Sequence, residues 1–273
     1  MDVFHKVEQF YQQVKTEKYI IGHSVFYRPI FAVKIGVGRP MGIAQYAIHG
    51  REFITARLAM EQYNIGVKKG SCWFIPLANP DGALLSEIGV DSAPLWAKDS
   101  LLTQNGKEDF SLWKSNGRGV DLNVNFDARW GEGVKNVFVA GRENYVGTAP
   151  FSEPETQALK RFTEWISPDY TVSYHTKGEE IYWRFFQDEN TLERDRKLAE
   201  ILSKYTGYPC KETSGSVGGY KDWCIQTFHI PSFTVESGKD NATHPLGDRD
   251  FLDIYEKNAY ALYELSGAME GIK

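Results

Sequence analysis

The stretch MGIAQYAIHGREFITARLAMEQYNIG, residues 41–66, decides the fold. It begins with a short apolar run that is typical of a buried strand and that stops at His49 and Gly50. Residues 51–64 follow with apolar side chains at helical spacing, and Gly66 is a typical helix stop. A strand that leads directly into a helix is the building unit of α/β proteins. The segment therefore predicts an α/β fold with His49 at the end of a strand.

The rest of the chain continues this alternation of strands and helices. Predicted strands lie in residues 24–36 (two strands turning at Arg28-Pro29), 71–77, 169–174, 181–186 and 232–235. Predicted helices cover residues 2–17, 153–166 (opened by a capping box at 152–155), 191–205 and 251–265. Residues 79–82, NPDG, predict a turn, and residues 86–117 predict a long surface loop. Together these elements predict one domain, residues 1–273, built on an α/β sheet with helices on both faces.

The composition excludes several classes of function. The chain has 273 residues, of which 42% are hydrophobic, and a net charge of −5, which gives no electrostatic reason to bind nucleic acid or an anionic membrane. No stretch is long and apolar enough to span a bilayer, and the first residues lack the pattern of a secretory signal. Cys72, Cys210 and Cys224 have no metal-type spacing, although one bridge between Cys210 and Cys224 stays open. These features predict a cytoplasmic protein.

Three residues that follow predicted strands suggest a metal site. Catalytic zinc usually takes three protein ligands, and His49 and Glu52 can face one ion if residues 50–53 begin a helical turn. His175 is the best candidate for a third ligand, and Glu236 could serve as a general base. Such a His-Glu pair is also common by chance, and Glu236 also fits a helix cap or an ion pair. In α/β sheets, however, sites gather at strand ends, where His49, His175 and Glu236 all lie.

Six motifs occur in order along the chain: HGRE (49–52), NPDG (79–82), RGVDLNVNF (118–126), YHTKGEEIYW (174–183), GGYKDW (218–223) and FTVESG (233–238). Together they resemble the metallocarboxypeptidase family of zinc peptidases over about residues 20–265. The resemblance implies a mixed, roughly eight-stranded sheet flanked by helices. It also implies one zinc ion held by His49, Glu52 and His175, with Glu236 activating the attacking water. Asp121 matches a family aspartate that hydrogen-bonds the first histidine ligand.

The chain departs from the family pattern in the residues that would meet the substrate. Lys114 matches a position where a family arginine often stabilises the oxyanion, and Arg118, four residues later, could reach the same space. Ordinary carboxypeptidases of the family clamp the substrate's terminal carboxylate with an Asn-Arg pair. Here Asn123 is kept, but Val124 replaces the arginine and cannot bind a carboxylate. The sequence therefore argues against ordinary C-terminal trimming.

The segments WKSNGRGVDLN, HTKGEEIYW and GGYKDWCIQ are most similar to the bacterial branch that cleaves γ-D-glutamyl–diaminopimelate bonds in cell-wall (murein) peptides. Such substrates carry several carboxylates, which Arg184 and Lys221 could meet, although both also fit solvated surface charges. Lys221 matches the family position that selects the substrate side chain. A family tyrosine is missing before the Gly-Gly pair, where Ser214 or Ser216 stands, and Tyr220 after the pair is a further substrate-binding candidate.

The sequence thus predicts a zinc-dependent peptidase that acts on murein peptides. The main alternative is a conventional metallocarboxypeptidase that trims ordinary peptides, and Val124 speaks against it. A second alternative is an inactive relative that only binds peptides, which the intact His49, Glu52, His175 and Glu236 disfavour. A third is a deacylase of small N-acyl amino acids, which the chain length and the GGYKDW segment fit less well.

Overall fold

The computed structural model describes residues 1–212 and 215–271 of the chain. Ser214, one of the two serines that stand where the family tyrosine is missing, lies outside the described residues. The strands within these ranges are β1 (Lys18–His23), β2 (Pro29–Gly36), β3 (Met41–Tyr46), β4 (Ser71–Ile75), β5 (Tyr170–His175), β6 (Glu180–Tyr182), β7 (Cys210–Lys211) and β8 (Ser232–Glu236). The helices are α1 (Val3–Gln13), α2 (Ile54–Ile65), α3 (Pro80–Ile88), α4 (Leu95–Asn105), α5 (Pro154–Ile166), α6 (Glu189–Thr206), α7 (Tyr220–Phe228), α8 (Asp248–Asn258) and α9 (Ala261–Ala268). The strands form one eight-stranded sheet in the order β1-β2-β4-β3-β5-β8-β6-β7, counted over the described ranges. The predicted mixed sheet flanked by helices is therefore confirmed.

The centre of the sheet is parallel. β3 pairs in parallel with β4 on one side and with β5 on the other, and β5 pairs in parallel with β8. All six residues of β5 are buried, as expected for a strand that helices cover on both faces. Because parallel strands end at the same edge of a sheet, the residues that follow β3, β5 and β8 lie close together. The register shows this directly, since His175 pairs with Glu236.

Alternate residues of the central strands supply two cores, one on each face of the sheet. Ala44 and Phe74 belong to the core that α2, α6, α8 and α9 cover. Ile43 and Trp73 belong to the core beneath α5 and α7. The helices therefore occupy both faces, and the edge at which the parallel strands end is left for loops.

Two segments that the sequence predicts as irregular contain helices. In the NPDG segment, Asn79 caps α3 by accepting a hydrogen bond from the backbone N–H of Gly82 at 2.9 Å. The prediction of a turn was wrong because Asn and Pro also favour helix starts, and an apolar run follows them. Residues 86–117 contain α4, whose Leu101 packs with Trp113 in a small buried cluster, so the prediction of one long loop was also wrong.

Element boundaries differ in three further places. Residues 24–28 form the connection between β1 and β2 rather than a strand, because Ser24 and Phe26 both hydrogen-bond the buried carboxylate of Asp81. The strand predicted at 181–186 is the shorter β6. The final helix predicted at 251–265 is divided into α8 and α9.

Two predictions concern the described residues as a whole. All three cysteines are free, so the Cys210–Cys224 bridge that the sequence left open is absent. Within the described ranges, no helix combines the length and the hydrophobicity that a bilayer span requires.

Gly66 ends α2 with a φ of 91°, a backbone conformation that glycine adopts readily, which confirms the predicted stop.

Helix α5 begins where expected but without the predicted capping box. The carboxylate of Glu155 instead accepts hydrogen bonds from the backbone N–H of Val25 at 3.0 Å and from Asn116 Nδ2 at 3.1 Å. Burial raises the pKa of Glu155 to about 8, and the nearby charge of Asp81 adds to this. Glu155 is therefore a buried acid that stays protonated at neutral pH and ties α5 to two distant segments.

This burial predicts a pH dependence of stability. Because the pKa of Glu155 rises from 4.5 to about 8 on folding, the folded state binds more protons between these values. The free energy of unfolding should then fall as the pH rises through this window, by at most about 1.4 kcal/mol per pH unit. Glu155→Gln should flatten the slope, measured by urea unfolding from pH 5 to pH 8. Glu164→Gln, at an exposed position on the same helix, should keep it, and an unchanged slope in Glu155→Gln would contradict the assignment.

Candidate metal centre

The segment after β3 fixes His49 and Glu52 on one side of a tight turn. Residues Gly50–Glu52 form a single turn of 3-10 helix ahead of α2, as the i, i+3 spacing requires. Gly50 lies against other backbone: a Cβ there would come within 2.4 Å of the carbonyl oxygen of Gly82. Its N–H also donates to the carbonyl of Lys114 at 2.9 Å. Only glycine permits this close approach, which holds the turn against the rest of the site.

His175, at the end of β5, completes a cluster of three donor groups. His49 Nδ1 lies 2.9 Å from Glu52 Oε1, and His175 Nδ1 lies 3.0 Å from Glu52 Oε2. The two Nδ1 atoms are 3.1 Å apart. All three side chains are buried, and among the described residues this is the one group of three or more such donors that could hold a metal ion.

The donor set fits a zinc ion. Zinc binds histidine nitrogen and carboxylate oxygen at about 2.0–2.1 Å, which places tetrahedral donors roughly 3.3 Å from one another. The observed separations of 2.9–3.1 Å come close to this value. Burial disfavours the charged form of Glu52, but His49 and His175 hold the pKa of its carboxyl well below the usual value. The carboxylate is therefore ionised and ready to bind a cation.

Asp121 connects the donor cluster to a lysine. Its Oδ1 lies 3.3 Å from His49 Nε2, and its Oδ2 lies 2.7 Å from Lys114 Nζ. Backbone N–H groups of Asn123 and Asn144 each donate to it at 3.1 Å. Burial opposes ionisation of Asp121, but Lys114 and His49 outweigh it and hold its pKa far below the usual value. A carboxylate at Nε2 favours the proton on that nitrogen, so that Nδ1 keeps its lone pair for a metal.

Glu236 faces the same region from β8. Burial raises its pKa to about 7; His175 opposes this shift and repulsion from Glu52 favours it. Both Glu236 and His49 line a cleft of about 770 Å³. A carboxyl group with a pKa near neutrality can both accept and release a proton at physiological pH.

Three of the predicted substrate-binding residues line this cleft, Lys114, Asn123 and Lys221, and Val124 lines it as well. Lys221 is only 5% exposed and lies 2.5 Å from Asp222 Oδ1. The side-chain oxygen of Asn123 accepts a hydrogen bond from the backbone N–H of Tyr220 at 3.1 Å. The cleft therefore contains the predicted cations Lys114 and Lys221, while Val124 lines the cleft without adding a charge.

Three other predicted residues lie elsewhere. Arg118 is 56% exposed and lies 3.6 Å from Glu153, outside the lining of the cleft, so the structure does not bring it to the donor cluster. The side chain of Tyr220 is fully buried, with its hydroxyl 2.7 Å from that of Thr163. Its position after the Gly-Gly pair suggested a substrate ligand, but it begins α7 and points into the core. Arg184 pairs with Glu212 at 2.7 Å and lines a neighbouring cavity of about 470 Å³.

Sequence reasoning also missed residues that line the cleft. Arg51 stands between His49 and Glu52 in the HGRE motif, and its NH1 lies 3.2 Å from Glu143. Tyr182 and Thr234 line the cleft near Glu236. The alternation of side chains along a strand could have identified Thr234, because it stands two residues before Glu236 and therefore points to the same face of the sheet.

Comparison with known proteins agrees with this geometry. Residues 3–261 match the model of the family described as zinc carboxypeptidase. The chain belongs to this family. A family member from Lysinibacillus sphaericus, gamma-D-glutamyl-L-diamino acid endopeptidase 1, is 31% identical over 256 residues, covering 87% of this chain and 64% of its own length. The chain thus spans less than two thirds of the length of that relative.

Solved structures of zinc carboxypeptidase relatives share the fold. Bovine thrombin-activatable fibrinolysis inhibitor, in complex with tick carboxypeptidase inhibitor, is similar at a TM-score of 0.79 and 18% identity, covering 99% of this chain and 97% of that one. Murein-tripeptide amidase from Escherichia coli O157 is similar at a TM-score of 0.62 and 21% identity, covering 94% of each chain. These likenesses show the eight-stranded architecture.

The contacts of Asp121 predict its effect on metal binding. Asp121→Asn removes the charge beside His49 Nε2 and should weaken zinc binding by about 10–100-fold. Competition of the purified protein against a fluorescent zinc chelator measures this affinity. Asp99→Asn, at an exposed position of α4, should bind zinc as the unmodified chain does. Equal affinity in the Asp121 and Asp99 variants would show that the aspartate does not orient the ligand.

Proposed function

We propose that this zinc carboxypeptidase-family chain hydrolyses murein peptides at the γ-D-glutamyl–diaminopimelate bond. The observation that carries the proposal is a buried lysine, Lys221, in a cleft whose wall bears Val124 in place of a carboxylate-binding arginine. The names of two relatives support it, since one is a gamma-D-glutamyl-L-diamino acid endopeptidase and the other a murein-tripeptide amidase.

Lys221 has the properties of a receptor for a carboxylate on the substrate's side chain. Its ammonium group lies 2.5 Å from Asp222 Oδ1 and donates to the carbonyl of Arg184 at 3.2 Å. It also lies 5.4 Å from the centre of the Phe185 ring. An ammonium has three donors, so one remains for a ligand in the cleft. A buried cation of this kind favours an acidic substrate over an apolar one.

At position 124, the cleft lacks the arginine that would bind a terminal carboxylate. Val124 lines the cleft but has no donor, and the side-chain oxygen of Asn123 already accepts a backbone hydrogen bond. At this position an ordinary C-terminal carboxylate therefore lacks the bidentate partner that an arginine would supply. This disfavours trimming of ordinary peptides and supports a substrate with further carboxylates beyond the terminal one, such as the distal carboxylate of diaminopimelate.

The proposed mechanism assigns each side chain a role. His49, Glu52 and His175 would hold one zinc ion, which when bound supplies Lewis acidity toward a carbonyl and lowers the pKa of water. Glu236 takes a proton from the attacking water and later delivers it to the leaving amine. Lys114 stabilises the charge that develops on the carbonyl oxygen. Asp121 holds Lys114 beside His49.

The domain organisation, the metal content and the cellular location are part of the same proposal. We expect one catalytic domain, one zinc ion and a cytoplasmic location in which the enzyme would recycle wall peptides. The three free cysteines support a reducing compartment. Export through another segment would instead make it an enzyme of wall remodelling.

Defined peptides test the proposed function. The zinc-loaded protein should cleave L-Ala-γ-D-Glu-diaminopimelate to L-Ala-D-Glu and free diaminopimelate, identified by mass, and a chelator should stop the reaction. Glu236→Gln should keep zinc and lose roughly 10²–10⁴-fold in kcat, whereas Glu256→Gln, at an exposed position of α8, should not. Equal or faster cleavage of ordinary L-peptides would instead identify a conventional carboxypeptidase.

A pair of variants tests which cation stabilises the oxyanion. Lys114 lines the cleft beside Asp121, whereas Arg118 lies outside it near Glu153. Lys114→Met should lower kcat by about 10²–10³-fold, the usual cost of losing one oxyanion donor. Arg118→Met should stay within about threefold of the unmodified enzyme. The reverse result, with zinc content equal in both variants, would restore Arg118 as the functional cation.

A further inference from the structure

The pairing of β6 with β8 builds a polar surface beside Glu236. The antiparallel register places Glu180 opposite Glu236 and Tyr182 opposite Thr234. Directly opposed residues, and residues two apart on one strand, point to the same face of a sheet. The intervening residue of β6, Ile181, belongs to the hydrophobic core on the other face. Four polar side chains therefore share the face of the sheet to which the cleft belongs.

On this surface, the Tyr182 hydroxyl is oriented to accept a hydrogen bond from a ligand. Its hydroxyl donates to Glu180 Oε2 at 2.6 Å, and its side chain lines the cleft. A phenol has one proton, so a hydroxyl that gives it to a carboxylate can only accept from a ligand. The charge of Glu180 strengthens that acceptor, and the nearest cation, Lys211 Nζ, is 3.8 Å from Glu180 Oε1. A ligand with charged N–H donors suits this arrangement.

The other acidic side chains that line the cleft are already engaged, as far as the described residues show. Glu143 lies 3.2 Å from Arg51, and Glu212 lies 2.7 Å from Arg184. Asp222 pairs with Lys221 and also accepts the backbone N–H of Gly219. Glu236 is reserved for proton transfer in the proposed mechanism. The Tyr182 hydroxyl, backed by Glu180, is left to receive a donor from the substrate.

We propose that Tyr182 and Glu180 form a binding site for an ammonium group on the substrate's side chain, in the cleft that also holds the proposed carboxylate site at Lys221. A side chain that ends in both groups, as an amino acid does, offers one group to each site. Diaminopimelate ends in this way, so the inference rests on the proposed function and deepens it. It adds that the distal amine of the substrate must be free.

A free amine distinguishes single wall peptides from cross-linked ones. Acylation of that amine, as in a cross-link, removes its charge and two of its three N–H donors and adds bulk at Tyr182. The neutral amide then brings no positive charge of the ligand to Glu180. The enzyme should accordingly select peptides that carry no cross-link.

Two substrates that differ only at the distal amine test the inference. The zinc-loaded protein is assayed on L-Ala-γ-D-Glu-diaminopimelate and on the same peptide acetylated at the distal amine. The free amine should be preferred in kcat/KM by on the order of ten- to a hundredfold, as for one charge-assisted hydrogen bond. In Tyr182→Phe and Glu180→Gln the preference should fall to below about threefold, mainly through a higher KM for the free amine.

The chain offers a matched control at the other edge of the sheet. The hydroxyl of Tyr19 donates to Glu17 at 2.9 Å with the same two-residue spacing, on β1 and outside the cleft lining. Tyr19→Phe should keep the preference of the unmodified enzyme, and thermal melting of all variants checks their folding. Equal turnover of both peptides by the unmodified enzyme would overturn the inference and leave the proposed function standing. A preference that survives both Tyr182→Phe and Glu180→Gln would also overturn it, and cleavage of neither peptide would reject both proposals.

Discussion

Parallel pairing of β3, β5 and β8 brings three chemically different groups to one edge of the sheet. His49 follows the first strand, His175 ends the second and Glu236 ends the third. No local interaction could place them together, because they are separated by more than fifty residues along the chain. The fixed register of the strands sets their separation before any ligand or side-chain contact contributes. The donor cluster and the proposed base therefore inherit their geometry from the backbone.

Charge balance in the buried site depends on Asp121. It is fully buried between Lys114 and His49, and it receives two backbone N–H donors as well. A buried carboxylate is costly unless such partners surround it, and here each partner is itself part of the proposed chemistry. Lys114 keeps its proton for the same reason, since Asp121 raises its pKa against the effect of burial. One side chain thus favours the His49 tautomer that the proposed metal site needs and keeps a cation charged.

The sequence predicted the α/β class, the mixed sheet and the residues that form the donor cluster. Their signals were local: apolar strands, a helical i, i+3 pair and six ordered motifs. What it could not predict depended on distant partners. Glu155 looked like a capping residue but is held by Val25 and Asn116. Spacing alone could not separate Lys114 from Arg118, because only the folded loop shows which one faces the cleft.

The same limit explains the errors around the cleft. Tyr220 resembled a substrate ligand because it follows a Gly-Gly pair, yet the first turn of α7 directs it into the core. Tyr182 went unnoticed because its proposed role depends on the strand opposite, and one segment of sequence does not contain the pairing register. Residues with a role in the family pattern, such as His175 and Glu236, were predicted even though distant strands bring them together, and residues without such a role were not.

The glycine contacts beneath the donor cluster have a consequence for how the protein acquires its metal. Gly50 touches the backbone of Gly82, and Gly82 in turn lies so close to Ser115 that a Cβ would come within 2.3 Å of its carbonyl oxygen. Three segments far apart in sequence thus pack backbone against backbone, and the Asn79 side chain bridges them by donating to the carbonyls of Ile48 and Ser115. The proposed binding geometry exists only once all three have met, so we expect tight zinc binding to require completed tertiary assembly.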